Sequence, residues 1–154
     1  MEKSSTKLRT YLAQHIAASE HRLDFMARFI LALIQVKTVN LTQIALAFNG
    51  QVKSESNYRR IQRFFEQFSF DKQVISQWLI AQLPQEALVL CLDRTNWKFG
   101  KVDINILALG VAYKGTALGL LWVLLPKFGN SNQSERIELF ERLLTWLPVK
   151  RIKV

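Results

Sequence analysis

An α+β chain, helices first and antiparallel strands after, is the fold class this sequence predicts, and three observations predict it. Up to about Pro84 the apolar residues recur at helical spacing and β-branched runs are scarce. Beyond it come three stretches that read as strands, and only then another helix. Apolar residues make up 49% of the 154 and charged ones 21%, a balance that supports a packed core and excludes a disordered or collagen-like chain. The expected organisation is a helical region over residues 1–85 and a mixed region over 86–154.

The helical region reads as a small bundle. A first helix is expected from Lys7 to Ala18 and a second from Arg22 to Val36. The second is apolar almost all round, as the central helix of a core is. Asn40 stands where it caps a short helix, with Gln43 at the third helical position, and Asn49-Gly50 supplies a left-handed stop. A helix from Glu55 to Phe68 follows, with Tyr58, Ile61, Phe64, Phe65 and Phe68 on one stripe and Arg59, Arg60 and Arg63 on another. The last helix, Asp71 to Leu83, is expected to pack through Val74, Ile75, Trp78 and Leu79 before Pro84 closes it.

Ala87 to Asp93 is apolar on both alternating faces until its final carboxylate, the pattern of a central strand covered on both sides. Arg94 to Asp103 reads as a polar connection. Strands are then expected from Ile104 to Tyr113 and Ala117 to Leu125, joined by a tight Lys114-Gly115 turn. Asn132 with Glu135 makes a capping box for a helix to Leu147, whose stripe of Ile137, Phe140, Leu143, Leu144 and Leu147 faces a sheet. Val149 to Val154 looks like the start of a fourth strand. Three antiparallel strands, a helix and then a further strand is the order in which a ribonuclease-H-like core is built.

Charge narrows the partner. With 21 Lys and Arg against 12 Asp and Glu the chain carries +9, which favours a polyanion, nucleic acid first and an anionic membrane surface second. The excess is spread: 11 basic and 6 acidic residues over 1–85, 10 and 6 over 86–154. Charge-free stretches such as Gly115 to Pro126 fall well short of the roughly 20 residues a membrane helix needs, so a soluble chain is expected, with DNA and no membrane as its partner. Cys91 is the only cysteine, which excludes an internal disulfide and fits a reducing cytoplasm.

Two sets of residues stand out. Asp93 is the first, because a carboxylate on a covered strand is costly unless it binds a cation or accepts several hydrogen bonds. Capping of the turn at Arg94-Thr95 is the other account of it. Around it lie Arg94, Trp97, Lys98 and Lys101, basic groups interleaved with a ring that either stacks on bases or covers the sheet. The second set is Arg59, Arg60 and Arg63 with Lys53 in the preceding turn, a helix-turn-helix-like unit able to lie against phosphates or a major groove. The same spacing describes a solvated basic face.

The string Leu92-Asp93-Arg94-Thr95-Asn96-Trp97-Lys98-Phe99-Gly100, continuing through Asp103 to Leu107 and Lys127 to Asn132, resembles bacterial insertion-sequence transposases of the DDE type, in particular the insertion-sequence-four group. The resemblance extends back through His21-Arg22 and Tyr58 to Phe65. It implies a Mg²⁺-dependent enzyme that cuts and joins double-stranded DNA at transposon terminal inverted repeats, with two Asp and one Glu as metal ligands. Asp93 matches the first Asp, and no residue matches the other two. Asp103 reads as a turn residue and Glu135 as the cap partner.

The expectation is therefore an N-terminal fragment of such a transposase, comprising a helical DNA-binding region (1–85) and an incomplete ribonuclease-H-like catalytic domain (86–154), inactive alone. The alternative is a non-catalytic DNA-binding fragment that occupies transposon ends or inhibits the full-length transposase. A second copy or full-length transposase is the further partner of either, and the bacterial cytoplasm, in association with the nucleoid, is the expected location.

Overall fold

The computed structural model describes residues 2–48, 52–84 and 87–153. It is α+β: among the described residues there are six α-helices and one three-stranded antiparallel sheet. The chain forms two compact units, Met1–Asp71 and Lys72–Val154.

The first unit contains α1 (Glu2–Ala13), α2 (Glu20–Val36), α3 (Leu41–Ala47) and α4 (Ser54–Gln67). Its core gathers Phe25 and Ala32 of α2, Ile44 and Ala45 of α3, Phe48, and Ile61 of α4. The Phe25 ring lies 5.4 Å from that of Phe48 and 4.7 Å from that of Phe64, so three segments meet on one aromatic residue. Burying a ring of this size contributes about 1.5–3 kcal/mol. Asn40 caps α3 as expected, its side chain accepting from the backbone N–H groups of Thr42 (3.0 Å) and Gln43 (3.3 Å). The expected stop at Asn49-Gly50 lies outside the described residues.

Two expectations for this unit are corrected. The first helix ends at Ala13 rather than Ala18, because the N–H groups of Gln14 and His15 fold back to Tyr11 and Leu12 and tighten the last turn. Nor is α2 buried all round: Leu23, Phe25, Met26, Ala27 and Ala32 are buried, whereas Ile34 is 64% exposed. Packing in a four-helix unit covers one broad side of a helix, and the remainder meets water.

The second unit holds α5 (Lys72–Ala81), β1 (Val89–Phe99), β2 (Val102–Tyr113), β3 (Thr116–Leu124) and α6 (Gln133–Leu144). The sequence divides the chain near residue 85, whereas the compact units meet at 71/72. The difference is α5, which packs along β3: the buried Ser76 hydroxyl donates to the Leu120 carbonyl. Its buried residues are Ser76 and Ile80, with Ile75, Trp78 and Leu79 only half-buried and Val74 exposed.

The strand order is β1-β2-β3, so β2 is central and carries the buried Leu107, Leu109 and Val111. This corrects the expectation that the first strand is covered on both faces; Val89 and Asp93 are exposed. The Lys114-Gly115 turn forms as expected, with both residues at positive φ (47° and 79°), the backbone of a two-residue hairpin. A bulge lies between Leu109 and Gly110. At Gly110 a Cβ would come within 2.7 Å of the Leu118 carbonyl oxygen, which is why glycine stands there.

The capping box of α6 is present, Glu135 N–H to Asn132 Oδ1 (2.9 Å) and Asn132 N–H to Glu135 Oε2 (2.7 Å). The face it buries is Leu139 and Leu143, continued by Leu147, while Ile137 and Leu144 are exposed. After a short 3₁₀ turn at Val149–Arg151 the chain makes a parallel bridge from Ile152 to Leu88, on the side of β1 away from β2. Its hydrogen bonds run from Leu88 N–H to Arg151 O (2.6 Å) and from Lys153 N–H to Leu88 O (2.8 Å).

Candidate nucleic-acid interface

In the sheet unit, β1 continues past Asp93 to Phe99, so residues 94–99 are strand and not the polar connection expected. The apolar partners across the hairpin explain this: Thr95 faces Ile106 and Trp97 faces Ile104. Asp93 is thus a mid-strand residue opposite Ala108, exposed to solvent, with its Oδ1 accepting the N–H of Arg94 (2.8 Å). It carries no burial cost, which corrects the physical reason for singling it out. Among the described residues, no three His, Cys, Asp or Glu side chains come together as a metal site.

Alternation along β1 also divides the basic cluster. Asp93 and Trp97 project from one face, Arg94 and Lys98 from the other. Arg94 is tied down: its Nη1 donates to Asn105 Oδ1 (3.2 Å) and to the Gly129 carbonyl (3.1 Å). Asn105, only 4% exposed, donates in turn to the carbonyls of Lys127 (2.9 Å) and Gly129 (3.1 Å). Arg94 therefore holds the 125–131 connection against the sheet. Trp97 (62% exposed), Lys98 and Lys101 remain exposed on the β1–β2 hairpin.

In the helical unit, Lys53 immediately precedes α4 and is exposed. Asn57 on α4, buried, donates to the Ala45 carbonyl (3.4 Å) and fixes α4 on α3. The three arginines do not act as one stripe. Arg59 forms an exposed i,i+4 ion pair with Glu55 at 2.8 Å. Arg60 and Arg63 turn instead towards the start of α2, where His21 and Arg22 join them around a cleft of about 220 Å³. His21 and Arg22 carry no assigned role in the sequence reading, because their approach to α4 is a tertiary contact.

Glu135 titrates low. The hydrogen bond from Lys127 (Nζ to Oε1, 2.8 Å), then that from the Asn132 N–H, holds its carboxyl below the usual glutamate range. It serves the α6 cap. No single helix among the described residues is long and apolar enough to cross a membrane. No protein-family model, curated protein or solved structure matches the chain.

Proposed function

We propose that this chain is the N-terminal part of a DDE-type DNA transposase, with a helical region that binds transposon ends and the first strands of a ribonuclease-H-like domain. The observation that carries this reading is the pairing around β1. A three-stranded meander is followed by a helix and then by a segment in which Ile152 makes a single parallel bridge to Leu88, the residue before β1, on the side away from β2. That is the order of strands a ribonuclease-H-like core requires, and the Leu92 to Gly100 and Lys127 to Asn132 strings that resemble the insertion-sequence-four group are linked by Arg94, which donates to the Gly129 carbonyl. In the helical region the support is Lys53, Arg60 and Arg63 on and beside α4, which α3 braces in a helix-turn-helix-like pair.

Two-metal phosphoryl transfer needs several carboxylates around its ions. Asp93 offers one, and among the described residues no group of three or more His, Cys, Asp or Glu side chains gathers around it, so these residues do not by themselves fit a Mg²⁺ pair. No catalytic step is assigned to the chain alone. Magnesium belongs to the complete enzyme, with Asp93 as the first ligand, and the nucleoid is where such a protein works. A single candidate carboxylate in the sheet unit, together with a basic face on the helical unit, also favours the second reading, a non-catalytic fragment that occupies ends or pairs with full-length transposase.

The test is binding and cleavage on one substrate. The purified chain is expected to bind linear duplex DNA with steep salt dependence and to leave it uncut in Mg²⁺. Mg²⁺-dependent cleavage abolished by Asp93→Ala would overturn the assignment of an inactive part, and absence of duplex binding at low salt would overturn the DNA reading. Translation of the genomic DNA beyond codon 154 separates the two readings: a strand ending in Asp and a later helix bearing Glu support a part of a transposase, and their absence supports the non-catalytic fragment.

A further inference from the structure

A cleft lies between the start of α2 and α4. Its walls bring together Arg22, Arg60 and Arg63 with His21, and Phe25 and Phe68 supply the apolar surface. Among the described residues none of the three guanidinium groups has a carboxylate partner, and no acidic side chain lines the cleft. Three such cations held in one concavity repel one another unless an anion joins them.

Two of them are also held in place. The Arg22 guanidinium carbon lies 5.2 Å above the Phe68 ring and that of Arg60 lies 5.6 Å above Phe25. Stacking on a ring restrains a guanidinium without using its N–H donors. Arg63 is positioned by its own helix, Nε donating to the Arg59 carbonyl at 3.4 Å. The donors left over suit a tetrahedral oxyanion, which guanidinium groups bind with paired N–H bonds. Arg59 stands apart, neutralised by Glu55.

We infer that this cleft is a phosphate clamp, in which Arg22, Arg60 and Arg63 seat one phosphodiester phosphate of a DNA backbone. The inference rests on the DNA-binding reading and deepens it: α2 shares the interface with α4, and this contact positions the duplex without reading bases.

Two measurements on the full chain test it. The first is anisotropy of a labelled 20-base-pair duplex over a salt series. Arg22→Ala, Arg60→Ala and Arg63→Ala are each expected to weaken binding and to reduce the slope of log affinity against log salt, by up to about 0.9 for the one phosphate they share, whereas Arg59→Ala leaves the slope unchanged. Arg22→Gln, which keeps the stem over Phe68, repeats the Arg22→Ala result if charge is what matters, and far-ultraviolet circular dichroism confirms that each variant is folded. The second is NMR titration with inorganic pyrophosphate, in which the Nε–H signals of Arg22, Arg60 and Arg63 are expected to move together. Duplex binding whose slope is unchanged in Arg22→Ala and Arg22→Gln overturns the clamp and leaves the DNA reading standing. Pyrophosphate seated in the cleft without any duplex binding overturns the DNA reading and keeps an anion site. Loss of both overturns both.

Discussion

The two units solve the problem of buried and exposed polarity in opposite ways. In the helical unit the core is aromatic, and Arg22, Arg60 and Arg63 beside it have no carboxylate partner among the described residues; Arg22 lies over the Phe68 ring and Arg60 over that of the buried Phe25. In the sheet unit the core is aliphatic, from Leu107, Leu109 and Val111 to Leu139 and Leu143, and its polar groups are bound to one another through Arg94, Asn105 and the 125–131 connection. An arginine over a ring keeps its donors for a ligand, whereas an arginine bonded to a buried amide and a carbonyl has used them. The difference assigns the candidate anion contact to the helices and a structural task to Arg94.

The largest effects are expected in the cores. Leu109→Ala, at a site with no exposure, is expected to cost about 2–5 kcal/mol, read as a shift of the urea midpoint. If it costs less than Arg94→Ala, the aliphatic layer is not what holds the sheet unit together. Next is the polar staple. Asn105→Leu deprives Arg94 of one acceptor and the Lys127 and Gly129 carbonyls of a donor, and is expected to cost about 1–3 kcal/mol while raising amide exchange across residues 127–131. Unchanged exchange there would mean that the connection is held by something else.

Smaller effects sharpen the picture. Asn132→Ala removes the cap of α6 and is expected to lower stability by about 1 kcal/mol in the same denaturation experiment. Its partner supplies a pH signature. Because the Glu135 carboxyl titrates below its ordinary range in the folded chain, its contribution is present above that range and is lost as pH falls through the lowered value. The melting temperatures of the wild type and Glu135→Gln are therefore expected to converge on acidification. A gap that widens instead would reverse the sign of the interaction. The smallest effect belongs to Arg59→Ala, whose exposed pair with Glu55 is worth about 0.3–0.5 kcal/mol at low salt and less as salt rises.

What was legible beforehand follows from how local each signal is. Asn40 and the Asn132–Glu135 box act within four residues, and both form where the sequence puts them. The Lys114-Gly115 turn is equally local. Asp93 was located on the first strand but misplaced at its end, because Arg94 to Lys98 look like a connection until Ile104 and Ile106 are seen across the hairpin. The face of α6 shows the same limit. Ile137-Phe140-Leu144 and Leu139-Leu143-Leu147 both satisfy helical spacing, and only contact with the sheet selects the second.

Sequence alone was enough for the α+β order, the caps, the tight turn and the basic excess. These depend on periodicity, on short-range hydrogen bonding and on composition. The tertiary structure alone decided that β2 is the central strand, that α5 belongs to the sheet unit, that Asp93 is exposed, and that Arg22 of α2 meets Arg60 and Arg63 of α4. The physical reason is that each of these is a matter of which surfaces remain after distant segments pack, and residues some forty positions apart have no common period through which a sequence could display their meeting.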